Sequence, residues 1–259
     1  MASVTSVLTR IFKLLGLEVH RVGGMFSGGG DPLDAVERLL STTDVKHVFD
    51  VGAHKGMMVS RLLSDYPGCV VHAFEADGRS VSHLESKYRS EPSVRVTPKA
   101  VSSKSGFIEF YSNSVDSTSS TLPRNAGGRR YYSASAVEKD RIKVESVALD
   151  EYILAENIDR VSLLKIDIQG GEIEAFKGAR QALAEQVIEV IVTEGYFVEH
   201  YEGAPSFFDI SELLLANGYT CFGVYNTMWA KNGQMRMCDA VFVSRALRER
   251  VIDALPAEP

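Results

Sequence analysis

From His47 onward, short β-branched and aromatic runs alternate with amphipathic stretches, the pattern of a parallel sheet joined by crossover helices. The runs predict strands at 47–51, 69–75, 94–97, 161–167, 187–193, 219–224 and 238–244. Apolar residues at helical spacing predict helices near 55–65, 78–88, 171–184 and 206–217. The last two runs, YTCFGVY and CDAVFVS, have only the turn-like Lys231, Asn232 and Gly233 as polar punctuation between them, which predicts an antiparallel hairpin at the sheet edge. The expected fold class is therefore α/β: a doubly wound, mostly parallel seven-stranded sheet with an antiparallel edge hairpin.

Ahead of the first strand, Asp31 and Pro32 suit the N-cap and first turn of a helix whose apolar face is Leu33, Val36, Leu39 and Leu40. Val4, Val7, Leu8, Ile11, Leu14 and Leu15 also recur at helical spacing, with Arg10 and Lys13 among them, predicting an amphipathic helix over 1–22. Such a helix suits packing on its own domain, a homodimer contact or a peripheral membrane contact, and two cations are few for the last. Residues 23–30 are glycine-rich and read as a linker, leaving 31–259 as one domain. Inside it, GFIEFYS and RIKVESVAL flank the polar run SVDSTSSTLPRNAGGRRYYSAS, which predicts an inserted hairpin and long loop at about 106–148.

Charge and cysteine content narrow the partners. A formal net charge of -6 repels phosphate backbones, so nucleic acid is not an expected partner. Cys69, Cys221 and Cys238 are far apart and form no C-x-x-C pair, which argues against a disulfide framework and a cysteine zinc site. No apolar run approaches the roughly 18–20 residues that span a bilayer, and no secretion-type segment opens the chain, so a cytoplasmic location is expected.

The strongest chemical signal is VFDVGAHKG, a buried strand that ends at Asp50 and runs through Gly52 and Gly56 into a helix. Gly52 permits a sharp turn and close ligand approach, and Gly56 close packing of the helix start, so a small ligand belongs at this carboxyl end of the strand. About 20 residues further on, Glu75 ends the next strand in HAFEAD, where a carboxylate can accept from both ribose hydroxyls of an adenosine. The G-x-G-x-x-G turn of a dinucleotide site is absent, as is a G-x-x-x-x-G-K-[ST] phosphate loop. Asp50 suits a cationic or zwitterionic ligand instead, such as the amino-acid part of S-adenosylmethionine. The rival reading, a nucleotide-sugar or NAD-dependent oxidoreductase, also lacks its Y-x-x-x-K pair.

With these residues in place, the chain resembles the FkbM family of methyltransferases over residues 46–195. The family's D-V-G-A-N-x-G motif is seen as DVGAHKG, its F-E-P turn as FEAD, and its T-L-D segment as VALDEY from Val147 to Tyr152. Its block L-K-I-D-V-E-G-A-E is seen as LLKIDIQGGE from Leu163 to Glu172. The resemblance implies a Rossmann-like methyltransferase fold, S-adenosylmethionine as cofactor, and methyl transfer to a hydroxyl of a sugar, polysaccharide or natural product, hence a small-molecule or glycan acceptor. The expected cofactor-binding set is Asp50, Gly52, His54, Gly56, Glu75 and Ala76. Three positions depart from the family: His54 for Asn, Ala76 for Pro and Gln169 for Glu. The last removes a carboxylate near the reaction centre, and it is the one hint of a non-catalytic S-adenosylmethionine-binding protein.

Transfer to an alcohol requires alignment of acceptor and cofactor and removal of a proton. Asp167 and Glu194 end the fourth and fifth predicted core strands, where the methyl group is expected, and His200 follows in EGYFVEHYEG. These three are the candidate catalytic residues, with Glu172 as a further carboxylate at a helix start. Strand alternation places Lys165, Asp167 and Gln169 on one side, and Lys165 needs a carboxylate partner such as Asp167 or Asp50. Asp167, Glu194 and Asp239 supply oxygen ligands of a kind that hold a hard cation, but Gln169 weakens that set and no metal is expected. The loop residues Ser117, Ser119, Ser120, Thr121, Arg124, Arg129 and Arg130 suit either hydrogen bonding to a polyhydroxylated acceptor or an ordinary solvated loop.

Overall fold

Along each central strand, side chains alternate between two separate apolar cores, so the sheet is covered on both faces. The computed structural model describes residues 27–28, 30–125 and 138–254. In chain order the strands are β1 (Ser27–Gly28), β2 (His47–Val51), β3 (Val70–Phe74), β4 (Val94–Thr97), β5 (Ala100–Val101), β6 (Gly106–Asn113), β7 (Glu138–Val147), β8 (Val161–Ile166), β9 (Ile188–Tyr196), β10 (Thr220–Trp229) and β11 (Met235–Val243). The helices are α1 (Pro32–Leu40), α2 (Met57–Asp65), α3 (Gly78–Tyr88), α4 (Leu149–Ala155), α5 (Glu172–Lys177), α6 (Arg180–Ala184), α7 (Phe207–Ala216) and α8 (Arg245–Val251).

The main sheet has the order β1-β10-β11-β9-β8-β2-β3-β4. β4, β3, β2, β8 and β9 are parallel, and β11 and β10 run antiparallel to their neighbours. All seven predicted strands are thus present, as are the mostly parallel sheet and the antiparallel hairpin. Val48, Val71, Leu163, Val190 and Val241 face one core, closed by Leu33, Val36 and Leu40 of α1, Leu62 of α2, Leu84 of α3 and Leu247 of α8. Phe49, Phe74, Leu164, Ile191 and Phe242 face the other, closed by Phe176, Leu183, Ile210 and Leu214. Burying side chains of this size stabilises the fold by about 1.5–3 kcal/mol each.

Several local features differ from the sequence reading. Ser27 and Gly28, within the stretch read as a linker, pair with Met228 and Thr227 and cover the open edge of β10. The helix predicted over 171–184 is two helices, and at the break Gly178 sits so close to the Ser102 carbonyl that a Cβ there would lie 2.1 Å from its oxygen. α4, which opens in the VALDEY segment, and α8 were not read as helices. The insertion is a hairpin of β6 and β7, joined by β5 into a separate three-stranded sheet. The expected amphipathic helix over 1–22, and Arg129 and Arg130, lie outside the described residues. No helix among the described residues is long and apolar enough to cross a membrane.

Candidate functional site

The turn after β2 begins the site. Gly52 has φ +84, and a Cβ there would meet the Asp167 carbonyl oxygen at 2.0 Å, so only glycine lets the turns after β2 and β8 come together. Gly56 opens α2 behind this turn and packs on Tyr88 and Leu84, without lining the cleft. Glu75, just past β3, braces the turn with its carboxylate. Its Oε2 accepts from the His54 backbone N–H at 2.7 Å, and its Oε1 from those of Ala76 and Asp77, each at 2.8 Å. Burial raises the Glu75 pKa even though these three N–H groups favour its charge. One lone-pair direction on Oε2 is left for a ligand.

Strand register then assembles a charged row on one face. Asp50 and Lys165 are partners across β2 and β8, and Glu194 and Asp239 across β9 and β11. Lys165 Nζ lies 3.5 Å from Asp50 Oδ1 and 3.6 Å from Asp167 Oδ2. Burial opposes the lysine's charge, but Asp167, Asp50, Asp239 and Glu194 outweigh it and push its pKa up. Asp50 is fully buried and does not line the cleft. Where the sequence suggested a direct ligand contact, the structure has Asp50 buried off the cleft wall as a counter-ion of Lys165. Burial and the neighbouring Asp167 raise Glu194 well above the ordinary carboxylate range. Asp239, raised by burial, accepts from Asn226 Nδ2 at 2.7 Å.

Gln169 joins this row from a turn, not from the strand. β8 ends at Ile166, and Gln169 has φ +59, so strand alternation does not place it. Its Nε2 donates to Asp167 Oδ1 at 2.8 Å and to Glu194 Oε2 at 3.1 Å. Its Oε1 accepts from the Tyr201 hydroxyl at 2.7 Å. Glu172 stabilises the same turn: its Oε1 accepts from the N–H groups of Ile168 and Gly170, and burial raises its pKa to about 7.

His200 does not belong to this group. It is 2% exposed, lies edge-on to Tyr196 with ring centroids 4.7 Å apart, and is absent from the cleft wall. Burial and Arg236 push its pKa down to about 4. The sequence shows a histidine in a polar, aromatic stretch; the fold turns that stretch inward, which removes His200 from the candidate bases.

The insertion roofs the cleft. Asp116 lies 3.0 Å from His54 Nε2 and 2.7 Å from Lys55 Nζ, and Lys55 and His54 hold its carboxyl well below the usual range. Ser119 Oγ donates to Asp77 at 3.1 Å, and Ser120 Oγ donates to the Gln169 carbonyl at 2.7 Å. One short segment therefore spans from the glycine turn to the carboxylate end. The cleft of about 560 Å³ lies in the range of small-molecule sites. Gly52, His54, Glu75, Ala76, Asp167 and Glu194 all line it.

These residues fit S-adenosylmethionine. Glu75 offers a free lone pair beside the apolar walls of Phe74, Val101 and Phe110, which suit a nucleoside, and the Asp167 carboxyl suits a cationic sulfonium. The sequence reading missed Asp116, Phe110, Asn226 and Tyr201. None lies in a recognisable motif; the hydroxyl-rich composition of 117–121 was the only local hint of the roof.

The Methyltransferase FkbM domain profile matches residues 50–221. The 2-O-methyltransferase NoeI of Sinorhizobium fredii is 26% identical over 176 residues, covering 64% of this chain and 70% of that protein. The 31-O-demethyl-FK506 methyltransferase FkbM of Streptomyces tacrolimicus is 26% identical over 203 residues, covering 71% and 76%. Among solved structures, an rRNA methylase from Streptococcus thermophilus is 9% identical, with a TM-score of 0.45 over 83% of this chain and 97% of that one.

Proposed function

The chain belongs to the FkbM family of methyltransferases, and we propose that it transfers the methyl group of S-adenosylmethionine to a hydroxyl oxygen of a sugar, polysaccharide or natural product. Methyl transfer dependent on S-adenosylmethionine is the family's chemistry; the acceptor atom and acceptor class are our reading. The observation that carries it is the pair of carboxylates, Asp167 and Glu194, bridged at one end of the cleft. An alcohol must lose a proton as its oxygen is alkylated, and the acidic pair at this end of the cleft supports a reading in which Asp167 takes it. The names of the two relatives, both O-methyltransferases or acting at an O-demethyl position, support the same atom.

S-adenosylmethionine supplies a methyl group activated on a sulfonium. Glu75 is the residue to accept from the ribose, and the glycine turn brings backbone close to the cofactor. Asp167, half-exposed to the cleft and flanked by Lys165, is the proposed proton acceptor. Ser117 and Thr121 of the roof over 116–121 line the cleft and are the hydroxyls proposed to meet the acceptor.

The test is incubation with isotopically labelled S-adenosylmethionine and a panel of oligosaccharides, polyols and macrolide alcohols, with products located by mass spectrometry. O-methyl products support the proposal. Methylation only of amines or carbon, or none with any hydroxyl acceptor, overturns it.

A further inference from the structure

We infer that Gln169 is a positioning residue whose amide bridges Asp167 and Glu194, donating one N–H to each and favouring the charged form of both. The inference rests on the methyl-transfer reading of this cleft, but its central measurement does not need turnover.

The amide's orientation is fixed by its partners. Nε2 touches oxygens of two carboxyl groups, and Oε1 receives the Tyr201 hydroxyl, so exchanging nitrogen and oxygen would set acceptor against acceptor. The backbone is pinned as well, since the Gln169 carbonyl accepts from Ser120 Oγ and the residue sits in the left-handed region at φ +59. Holding a non-glycine residue there costs free energy that the surrounding contacts must offset. With both N–H groups used, Gln169 gives each carboxyl one hydrogen bond. Glu194 Oε2 also accepts from the Tyr196 hydroxyl, and Asp167 Oδ2 faces Lys165. Two acidic groups this close repel, and a shared neutral donor relieves that repulsion without adding charge. A glutamate at 169 would place a third carboxyl within hydrogen-bond reach and force at least one group to keep a proton.

The groups facing the bridged pair are Lys165 on β8, Asp50 on β2, Asp239 on β11, Glu172 on α5, Tyr196 on β9 and Tyr201. Loss of the amide removes a donor that favours the charged forms, so the carboxyl groups should release protons at higher pH. In the full-length protein with ¹³C-labelled Asp and Glu side chains, NMR titration of Gln169→Ala should move the Asp167 and Glu194 carboxyl transitions up by about one pH unit, a tenfold change in proton affinity. Gln169→Glu, nearly isosteric, should move them further and add a third coupled transition. Binding of S-adenosylhomocysteine within threefold of wild type shows that the variant cleft is intact. With an acceptor from the panel, the acid limb of the pH–rate profile should shift upward by the same amount, whereas a purely structural defect lowers the rate evenly across pH. Unchanged carboxyl transitions in both variants overturn the inference. If Asp167→Asn keeps full activity while the transitions do shift, the base assignment fails and the bridge stands.

Discussion

The backbone N–H of His54 donates to Glu75 Oε2 at 2.7 Å, so the turn after β2 and the end of β3 are tied through the one carboxylate read as the ribose acceptor. Glu75→Ala therefore removes a ligand contact and the brace of the glycine turn together. S-adenosylhomocysteine affinity should fall by about 1.5–3 kcal/mol, and stability by a further amount of about 1–3 kcal/mol from the unpaired N–H groups. Isothermal titration reads the first and denaturant unfolding the second; unchanged affinity would refute the ribose assignment.

Asp167→Asn preserves the side-chain shape but leaves one oxygen to serve the two donors Lys165 and Gln169, while removing the proton acceptor. The turnover rate should fall by about 10²–10⁴-fold, the usual weight of general-base catalysis, with cofactor affinity nearly intact. Near-wild-type turnover, or loss of cofactor binding instead, would show that Asp167 is a structural or cofactor residue.

Asp116 clasps the roof to the glycine turn through Lys55 and His54. In Asp116→Ala this clasp is gone while Ser119 and Ser120 keep theirs. Stopped-flow measurement should show S-adenosylhomocysteine leaving about three- to tenfold faster, a loss of roughly 1 kcal/mol as expected of a partly exposed ion pair. An unaltered dissociation rate would mean the roof does not control cofactor exchange.

His72 is fully buried between His47, at 3.0 Å, and the Tyr152 hydroxyl, at 2.9 Å, and burial lowers its pKa to about 3. The unfolded chain takes up a proton near pH 6.5 that the folded chain refuses until about pH 3, so this residue's contribution to stability is present above pH 6.5 and is lost as pH falls through that window. Unfolding free energy measured from pH 7 to pH 4 should decline, and His72→Gln should decline less steeply. Parallel pH profiles for the two proteins would assign the acid sensitivity elsewhere.

What the sequence disclosed was chemistry that is local along the chain. Gly52 and Glu75 were legible because a turn and a strand end each announce themselves within a few residues. Lys165 was legible because a lysine in a central strand needs a carboxylate partner, and Asp50 faces it across β2 and β8. His200 was misread because its burial depends on how the segment after β9 folds back against Arg236, a contact no short window contains. Gln169 looked like a lost acid; only the meeting of three segments reveals two carboxyls and a tyrosine around its amide. The need for glycine at 178, between α5 and α6, has the same origin, since the Ser102 carbonyl that Gly178 must accommodate lies far away in the chain.

The roof segment touches the glycine turn through Asp116 and the Gln169 turn through Ser120, so a ligand at either end settles the freedom of the same dozen or fewer residues. On the proposed reading of the cleft, cofactor and acceptor would thereby be thermodynamically linked. Whatever factor the bound cofactor applies to acceptor affinity, the acceptor must apply to cofactor affinity in return. An acceptor that retains the spent cofactor more tightly will slow its own turnover, and the length and stiffness of residues 114–125 set how strong that reciprocity is.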